Sequence, residues 1–347
     1  MLMMLACPLP KLDFDTINLG HGSGGTLTSQ LLDAGVFKIL ENDLLNKKHD
    51  GAIFNINGKV AMSTDTYVVS PIFFEGGNIG DLAVNGTVND LAMCGAAAKY
   101  LTLSFVLEEG LKMTEFWEVL NSIRAACDAA GVQIITGDTK VVEKGKGDKI
   151  FINTTGIGLV HPEAAIDTDH IKPGDKIILS GPLARHGITI MSHRQGLGFE
   201  STISSDTRAL NKVVLSLLDE FGKNIHFLRD PTRGGLATVL NEIAIGARAG
   251  IDISQKNICI EEDVSGACEM LGLDPLYVAN EGLFVAVVDA SVAEAFLYRL
   301  QDWEHGEMAA IIGEITNDHP RQVVMRSLIG GRRVVNMLPG EQLPRIC

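Results

Sequence analysis

The chain has 347 residues, of which 46% are apolar and only 21% charged, so intrinsic disorder is excluded and a sizeable core is expected. Its formal net charge of -14, from 43 acidic and 29 basic residues, argues against non-specific binding to nucleic acid or to an anionic membrane. At this length two domains are expected, and no apolar run approaches the ~20 residues of a membrane-spanning helix.

A leader and a glycine-rich segment are predicted for residues 1–48. The opening letters MLMMLAC are apolar but too short for a secretory signal, and their methionines indicate a loosely defined start. The glycine-rich stretch LDFDTINLGHGSGGTLT covers residues 12–28, and a helical stretch follows it to about Lys48.

Residues 49–162 alternate between strand and helix patterns and are predicted to form a first α+β domain. The stretch GAIFNINGKVAMSTDTYVVSP alternates in the manner of strands, with Asn57-Gly58 as a hairpin turn. Helical spacing follows in NIGDLAVNGTVNDLAMCGA and in MTEFWEVLNSIRAACDAAG, and Gly131 ends the second of these helices. Further strands are predicted in YLTLSFVLEE, VQIITGDTKVVE and KIFINTTGIGLV.

A second α+β domain is predicted for residues 173–332, after the polar stretch HPEAAIDTDHIKPGDKIILSG. Its predicted helices lie in HGITIMSHR, DTRALNKVVLSLLDEFG, SGACEMLGL and SVAEAFLYRLQDW, and its strands in DISQKNICI, LFVAVV and MAAIIGEI. The stretch LRDPTRGGLATVLNEIAIGARAG is predicted to run from a loop into a helix. Residues 333–347 hold two prolines and no helix pattern, so an extended tail is predicted there.

The cysteines are scattered, with no C-x-x-C motif and no zinc-like pairing with histidine: Cys7, Cys94, Cys127, Cys259, Cys268 and Cys347. This usage fits small buried side chains in a reducing compartment and predicts a cytoplasmic protein. The last residue, Cys347, does not fit prenylation, which needs a cysteine fourth from the end.

The first candidate for chemistry is HGSGG, from His21 to Gly25. Glycines allow backbone amides to approach an anion closely, and consecutive amides form an anion-binding concavity. The stretch matches neither a Walker loop nor a dinucleotide-binding fingerprint. On these residues alone it is either a phosphate-contacting loop or a plain flexible loop.

The second candidate is a set of aspartates at the ends of predicted elements: Asp65 in STDT, Asp90 in VNDLAMCG and Asp138 in TGDTK. Hard oxygen ligands on three separate elements suit one or two Mg²⁺ ions that bridge nucleotide phosphates. The alternative for each aspartate is a cap of a helix or turn. Asp81 in IGDLA either joins the set or is an ordinary acid in the first turn of a helix.

Three further polar residues lie beside apolar sequence. Lys140 either extends its amine from the end of a strand to solvent or takes part in chemistry. Glu281 in YVANEGLF is either a general base or a solvated acid in a turn. Arg233 in PTRGGL precedes a predicted helix start, where it either binds an anion or lies on the surface.

The chain resembles the HypE family of hydrogenase maturation proteins in motifs that occur in this order: HGSGG, STDTYVVSP, FFEGGNIGDLAVNGTVNDLAMCGA, TGDTKVV, TRGG, ANEG and terminal PRIC. That family belongs to the PurM/ThiL/selenophosphate synthetase superfamily of ATP-binding proteins. The resemblance runs from about His21 to Cys347 and leaves the first 17 residues without a family motif.

The resemblance implies a two-domain PurM-like (AIR synthetase-like) α+β fold, with mixed sheets flanked by helices and an extended C-terminal tail. It implies a homodimer in which the first domains pair and ATP lies close to the interface. It also implies that a HypF-type carbamoyltransferase loads the terminal thiol and that ATP-dependent dehydration turns the carboxamide into a thiocyanate. A HypC–HypD scaffold would receive the cyano group for the iron of [NiFe] hydrogenase, with neither nucleic acid nor a membrane as partner.

The resemblance also implies roles for particular residues. Cys347 carries the substrate, with Lys140 and Glu281 near the reacting tail. Magnesium is bound by Asp65, Asp90 and Asp138. The residues expected to contact ATP are His21, Gly22, Ser23, Gly24, Gly25, Asp65, Thr66, Asp90, Asp138 and Thr139.

Physical chemistry agrees with this interpretation, because an amide oxygen is a poor leaving group whereas a phosphate departs readily. A substrate held on a flexible arm gains a high effective concentration without a tight pocket. Arg345 favours the Cys347 thiolate and the terminal carboxylate opposes it, so no strong shift of the thiol pKa is expected. Two rival interpretations are an ATP-dependent kinase or amidine-forming synthetase acting on a free small molecule, and a non-catalytic scaffold that docks maturation partners.

Overall fold

The computed structural model describes residues 14–195, 203–338, 340 and 345–347, so the predictions for residues 1–13 and for the prolines at 339 and 344 lie outside the described residues. The helices are α1 (Thr26–Leu31), α2 (Phe37–Ile39), α3 (Ile79–Met93), α4 (Met113–Ala130), α5 (Arg185–Arg194), α6 (Asn211–Phe221), α7 (Gly235–Gly246), α8 (Glu262–Leu271) and α9 (Ala293–Gln301). The strands are β1 (Val60–Tyr67), β2 (Phe73–Phe74), β3 (Gly77–Asn78), β4 (Ala96–Glu108), β5 (Gln133–Val142), β6 (Ile150–Val160), β7 (Lys176–Leu179), β8 (Ile225–Arg229), β9 (Gly250–Ser254), β10 (Val285–Val288), β11 (Ala310–Thr316), β12 (Val323–Arg326) and β13 (Arg332–Val335). None of the described helices is both long and apolar enough to cross a bilayer.

The first domain is built on a four-stranded mixed sheet in the order β1-β6-β4-β5. Strands β4 and β5 run parallel, whereas β6 pairs antiparallel with β1 and β4. Helix α4 buries Phe116, Trp117 and Leu120 at helical spacing. Gly131 ends α4 with a φ of 73°, as the sequence predicts, because this left-handed conformation favours glycine.

The second domain is built on a seven-stranded mixed sheet in the order β13-β12-β9-β11-β7-β10-β8. Its strand β10 is buried on both faces. Val285 and Val287 pack with residues of α7 and α8, whereas Ala286 and Val288 pack with residues of α6 and α9. Helices therefore cover both faces of this sheet, and the chain is the two-domain α+β protein that the sequence predicts.

Helix α3 connects the two domains. It packs on the first sheet and on α4, and it also contacts α6 and β8 of the second domain. Nearly all of its residues are buried, which explains why the stretch is apolar or small on all sides and lacks one polar face. Because Asp90 lies near the end of α3, this packing places it at the seam between the domains.

Two local predictions are wrong. The hairpin at Asn57-Gly58 does not form: residues 51–59 contain no strand, and β1 pairs with β6 instead of with the preceding chain. The tail begins later than Arg333, because β13 pairs with β12 and buries Val335. Strand β8 was not predicted, because His226 and Arg229 hide the pattern of a strand of five residues; only its last two residues, Leu228 and Arg229, belong to the stretch that was predicted to begin as a loop.

Candidate active site

A cavity of about 670 Å³ opens at the seam between the two domains. We call it the carboxylate cavity, because its lining includes the acids Asp65, Asp90, Asp230 and Glu281, together with Cys347. These residues come from five separate parts of the chain. Several acids on one small volume disfavour each other's ionised forms, so the cavity attracts protons or cations.

Glu281 is deeply buried in this cavity, with 4% of its surface exposed. Its main-chain N–H donates to the Asp206 carboxylate (3.1 Å), whereas its Oε1 has no hydrogen-bond partner among the described residues. Burial, and then the charges of Asp230 and Asp206, raises the pKa of Glu281 well above its ordinary value. The interpretation of Glu281 as a solvated acid in a turn is therefore wrong. Its Oε1 has no partner among the described residues and its pKa is raised, which are properties that a proton acceptor needs.

The two cavity acids of the first domain are half-buried. Asp65 lies on β1, and its Oδ1 accepts a hydrogen bond from the Thr66 amide (2.8 Å). Asp90 accepts a hydrogen bond from the Ser63 hydroxyl (2.6 Å), and burial raises its pKa. Asp81, by contrast, accepts from the amide of the N-cap residue of α3, so it is the ordinary first-turn acid.

Asp230 is a site residue that the sequence analysis missed. It directly follows β8 and is only 9% exposed. Burial, and then the charge of Asp90, raises the pKa of Asp230 to about 7. The available signal was an acid beside an apolar stretch in HFLRDPTRGG, but the stretch was not predicted to be a strand.

Replacing Asp230 by asparagine is expected to stabilise the metal-free protein at pH 8 and to leave its stability unchanged at pH 4. Because the folded-state pKa of about 7 lies above the ordinary value, the carboxyl group destabilises the fold progressively as the pH rises from about 4 to 7. Asparagine cannot ionise, so it removes this loss. Thermal unfolding in a chelating buffer at both pH values measures the effect, and an equal shift of Tm at both would contradict the raised pKa. Asp128→Asn, at an exposed acid of α4, is the control.

The end of the chain is docked into the carboxylate cavity. The Val68 amide donates to the terminal carboxylate of Cys347 (3.1 Å), and the Ser70 amide donates to the Arg345 carbonyl (3.4 Å). Ile346 is 2% exposed and packs into the core of the first domain. These contacts place the Cys347 thiol in the cavity that Glu281 lines.

The thiol of Cys347 is electrostatically disfavoured as an anion in this position. Burial, and then the negative charge of Glu281, raises its pKa far above the ordinary value. The expectation of no strong shift is therefore wrong, because the neighbours of Arg345 along the chain do not reveal that the end is buried among carboxylates. The docked thiol is protonated and weakly nucleophilic.

Arg233 also lines the carboxylate cavity. It is exposed and lies immediately before the N-cap of α7, where the helix dipole favours an anion. The two alternatives for this residue are therefore compatible, since the side chain lies on the surface and faces a cavity.

A second cavity, of about 210 Å³, adjoins β5 at the opposite edge of the first sheet. We call it the glycine-rich cavity. Its polar lining comprises Gly22, Gly24, Thr28, Thr136, Gly137, Asp138, Thr139 and Lys140. Its apolar lining comprises Leu32, Val36, Phe37, Leu45, Leu103, Phe105 and Ile134. The cavity therefore offers polar groups for a charged part of a ligand and apolar side chains for a flat apolar part.

The segment HGSGG forms a defined turn beside β5 and is not a plain flexible loop. The Asn18 side chain accepts from the Gly20 amide and His21 Nδ1 accepts from the Asn18 amide, both at 3.0 Å. Burial lowers the pKa of His21, in keeping with the neutral ring that this bond requires. A Cβ at Gly22 would lie 2.6 Å from the Val141 nitrogen, and Gly24 has a φ of 82°, so glycine is needed at both positions.

Asp138 and Lys140 form an exposed ion pair (2.7 Å) on β5. Strands β6 and β4 separate Asp138 from Asp65 on β1, a distance of about 14 Å at three strand spacings. Asp65 and Asp138 therefore do not meet within one chain, and Lys140 lies at the edge of the sheet opposite to that of Asp65. The physical reason is the topology, which places these motifs at opposite edges of one sheet.

Two family models match the chain. The model of the AIR synthase related protein, N-terminal domain, matches residues 48–160, and the model of its C-terminal domain matches residues 172–326. The fold and its two cavities accordingly define a member of the PurM-like, AIR synthase-related class of two-domain proteins.

Relatives within this class are similar along nearly the whole chain. The chain is 47% identical over 333 residues to carbamoyl dehydratase HypE of Azotobacter vinelandii, an alignment that covers 96% of this chain and 97% of that protein. The crystal structure of hydrogenase maturation protein HypE in complex with ATP matches with a TM-score of 0.92 and 47% identity, covering 95% and 99% of the two chains. The crystal structure of a HypE–HypF complex matches with a TM-score of 0.78 and 39% identity, covering 90% and 100%. The chain belongs to the HypE family of carbamoyl dehydratases.

Proposed function

We propose that this protein uses ATP to dehydrate a carbamoyl group carried on its own Cys347, which gives the thiocyanate that supplies cyanide in [NiFe] hydrogenase maturation. The observation that carries this proposal is the position of the terminal sulfur, which shares a cavity with Glu281, whose buried Oε1 has no hydrogen-bond partner in the part of the chain that the structure describes. The name of the 47% identical relative, carbamoyl dehydratase, supports the same reaction.

ATP binds in the glycine-rich cavity. The apolar wall, which includes Phe37 and Phe105, accommodates the adenine ring, and the backbone of the HGSGG turn with Thr139 and Lys140 lies on the phosphate side. The similar HypE crystal structure in complex with ATP supports ATP as the nucleotide.

The reaction consists of two steps that balance. In the first, the carboxamide oxygen attacks the γ-phosphorus, the bond from that phosphorus to ADP breaks, and one N–H proton leaves, which gives an imino-phosphate on sulfur. In the second, the C–O bond breaks, inorganic phosphate leaves with the oxygen, and loss of the other N–H proton forms the C≡N bond. The amide oxygen therefore ends in phosphate, and each proton needs an acceptor.

Glu281 accepts these protons, because it lines the cavity that holds the sulfur and has an oxygen without a partner among the described residues. Its raised pKa makes the ionised form a strong base, and a neighbouring cation favours that ionised form. Lys140 lies on the phosphate side of the bound nucleotide, where its ammonium group neutralises the transferring phosphoryl oxygens.

The donor set fits magnesium, because the cavities offer carboxylate oxygens and one of these, on Glu281, is buried without a partner among the described residues. Asp65, Asp90 and Asp138 would hold the ion. When bound, it would supply neutralisation of the phosphates of ATP.

Two copies of the chain complete one site. Asp138 and Lys140 of one chain lie too far from its own Cys347, but strands β1 and β5 are both edge strands. On the β1 edge Met62 is 67% exposed, an apolar side chain that pairing of two first domains would cover. We therefore place the glycine-rich cavity of one copy against the carboxylate cavity of its partner.

Asp138→Asn is expected to abolish the magnesium dependence of ATP binding and to leave the fold intact, because Asp138 is exposed and supports no core contact. A nucleotide titration with and without Mg²⁺ measures this, with Asp128→Asn as the matched control on an exposed acid. Unchanged magnesium-dependent turnover of ATP in the variant would count against this ligand.

Mixing two inactive variants tests the composite site. Asp65→Asn and Asp138→Asn would each be inactive alone, but in a mixed dimer one of the two sites receives neither substitution. Random exchange of subunits is then expected to restore about a quarter of the wild-type dehydration rate. A mixture that stays as inactive as either variant would place both residues in the same site.

The partners and location follow from this chemistry. A HypF-type carbamoyltransferase loads the thiol, as the structure of a HypE–HypF complex supports, and a HypC–HypD scaffold takes the cyano group. Since the docked thiol is partly buried and its pKa is raised, loading takes place with the tail outside the cavity. The cysteines of the described residues are free thiols, which fits the cytoplasm.

A further inference from the structure

The docked tail is held by its main chain and by Arg345 and Ile346, and not by its sulfur. Among the described residues, the Cys347 thiol has no hydrogen-bond partner, whereas the carbonyl groups of Arg345 and Ile346 both accept hydrogen bonds. Docking of the tail is therefore independent of the group that the Cys347 sulfur carries. The carboxylate cavity, of about 670 Å³, leaves room for such a group.

His186, on helix α5 of the second domain, supplies one of the contacts to the tail. Its ring is fully buried on α5, packs edge-on against Phe74 and donates from Nε2 to the Ile346 carbonyl (2.7 Å). Because a carbonyl oxygen only accepts, Nε2 carries the hydrogen and Nδ1 accepts from the Ser205 hydroxyl (2.8 Å). Both ring nitrogens are thus used, which fixes the orientation of the ring.

The first domain supplies the second set of contacts. Arg345 donates from Nε to the Val68 carbonyl (3.1 Å) and forms an ion pair with Asp148 (2.6 Å). Arg194 of α5 donates to the Arg345 carbonyl from the other side. The dipeptide Arg345-Ile346 therefore bridges the two domains at the mouth of the cavity.

We propose that His186 is a positioning residue, which holds the loaded tail in the reacting position by binding the main-chain carbonyl of Ile346. This inference rests on the proposed function. It adds that the free, carbamoylated and cyanated tails dock through the same contacts, and that loading and dehydration compete for one tail. A residue that stabilises only the docked tail is required for dehydration but not for loading.

The test compares His186→Leu, which removes the donor, with His186→Gln, whose amide places a donor near the former Nε2. His193→Leu, at an exposed histidine of the same helix, is the matched control. Iodoacetamide labelling of Cys347, read on the C-terminal peptide, measures how often the tail leaves the cavity. His186→Leu is expected to be labelled about tenfold faster, since one lost hydrogen bond corresponds to about 1.4 kcal/mol.

Dehydration by loaded His186→Leu is expected to be about tenfold slower at saturating ATP, with an unchanged KM for ATP and carbamoyl loading retained. His186→Gln is expected to recover most of both effects, which a purely structural role would not produce. Labelling and dehydration equal to wild type in His186→Leu, or glutamine no better than leucine, would overturn the inference.

Arg345→Ala keeps the inference testable where His186→Leu does not fold, since the substitution lies in the tail. Like His186→Leu, Arg345→Ala is expected to be labelled at Cys347 faster than wild type. Unchanged labelling would contradict docking through Arg345-Ile346. Labelling needs neither partner nor ATP, so it distinguishes failure of the docking from failure of the proposed reaction. Wild-type protein that protects Cys347 from labelling but does not dehydrate the carbamoyl group would contradict the proposed reaction and leave the docking of the tail supported.

Discussion

Cys347→Ala is expected to abolish carbamoyl loading completely, because no other thiol at the chain end is left to accept the group. Intact mass after incubation with the carbamoyltransferase partner and its substrates measures the result, and the variant should keep the wild-type mass. Ile346 and the main-chain contacts of the tail remain, so the fold should be unaffected.

Cys94→Ala is the matched control, since Cys94 is exposed and lines the same cavity. It should load like wild type. Loading of Cys347→Ala by one carbamoyl group, or loss of loading in Cys94→Ala, would show that the carrier is a different sulfur.

Glu281→Gln is expected to load normally and to dehydrate about 10² to 10⁴ times more slowly, the range that a general base contributes. Glutamine keeps the shape of the side chain but cannot accept a proton. The substitution also removes a buried carboxyl group whose pKa is raised by burial, so the variant should be at least as stable as wild type above neutral pH.

Single-turnover dehydration of the loaded protein, followed on the C-terminal peptide, gives the rate. Glu269→Gln, at an exposed acid of α8, is the control and should match wild type. A Glu281→Gln rate within a few-fold of wild type would assign the role of proton acceptor to another group. Asp230 would then be the first candidate, because it lines the same cavity and burial raises its pKa as well.

Much of the fold was predictable because its helices follow local rules. The apolar spacing of α4 and its glycine cap at Gly131 specify both the buried face and the end of the helix. The hairpin at Asn57-Gly58 was wrong for the opposite reason: the turn signal is local, but β1 finds its partner in β6, almost a hundred residues further along the chain.

The site was predictable in its residue types and not in its geometry. Asp65, Glu281 and Cys347 stand out because carboxylates beside apolar sequence and a terminal thiol are chemically unusual. Their common cavity depends on domain packing, which also buries Glu281 and raises the pKa of the thiol. Sheet order, which separates Asp138 from Asp65, is likewise a property of long-range pairing.

The central claim is that the chain carries its own substrate on the sulfur of Cys347 and removes water from it with ATP. Mass spectrometry of the C-terminal peptide after carbamoylation, with and without Mg-ATP, tests this most directly. The loaded peptide is expected to lose the mass of one water molecule only when Mg-ATP is present. A loaded peptide whose mass stays unchanged while ATP is hydrolysed would contradict the dehydration of the carbamoyl group on Cys347.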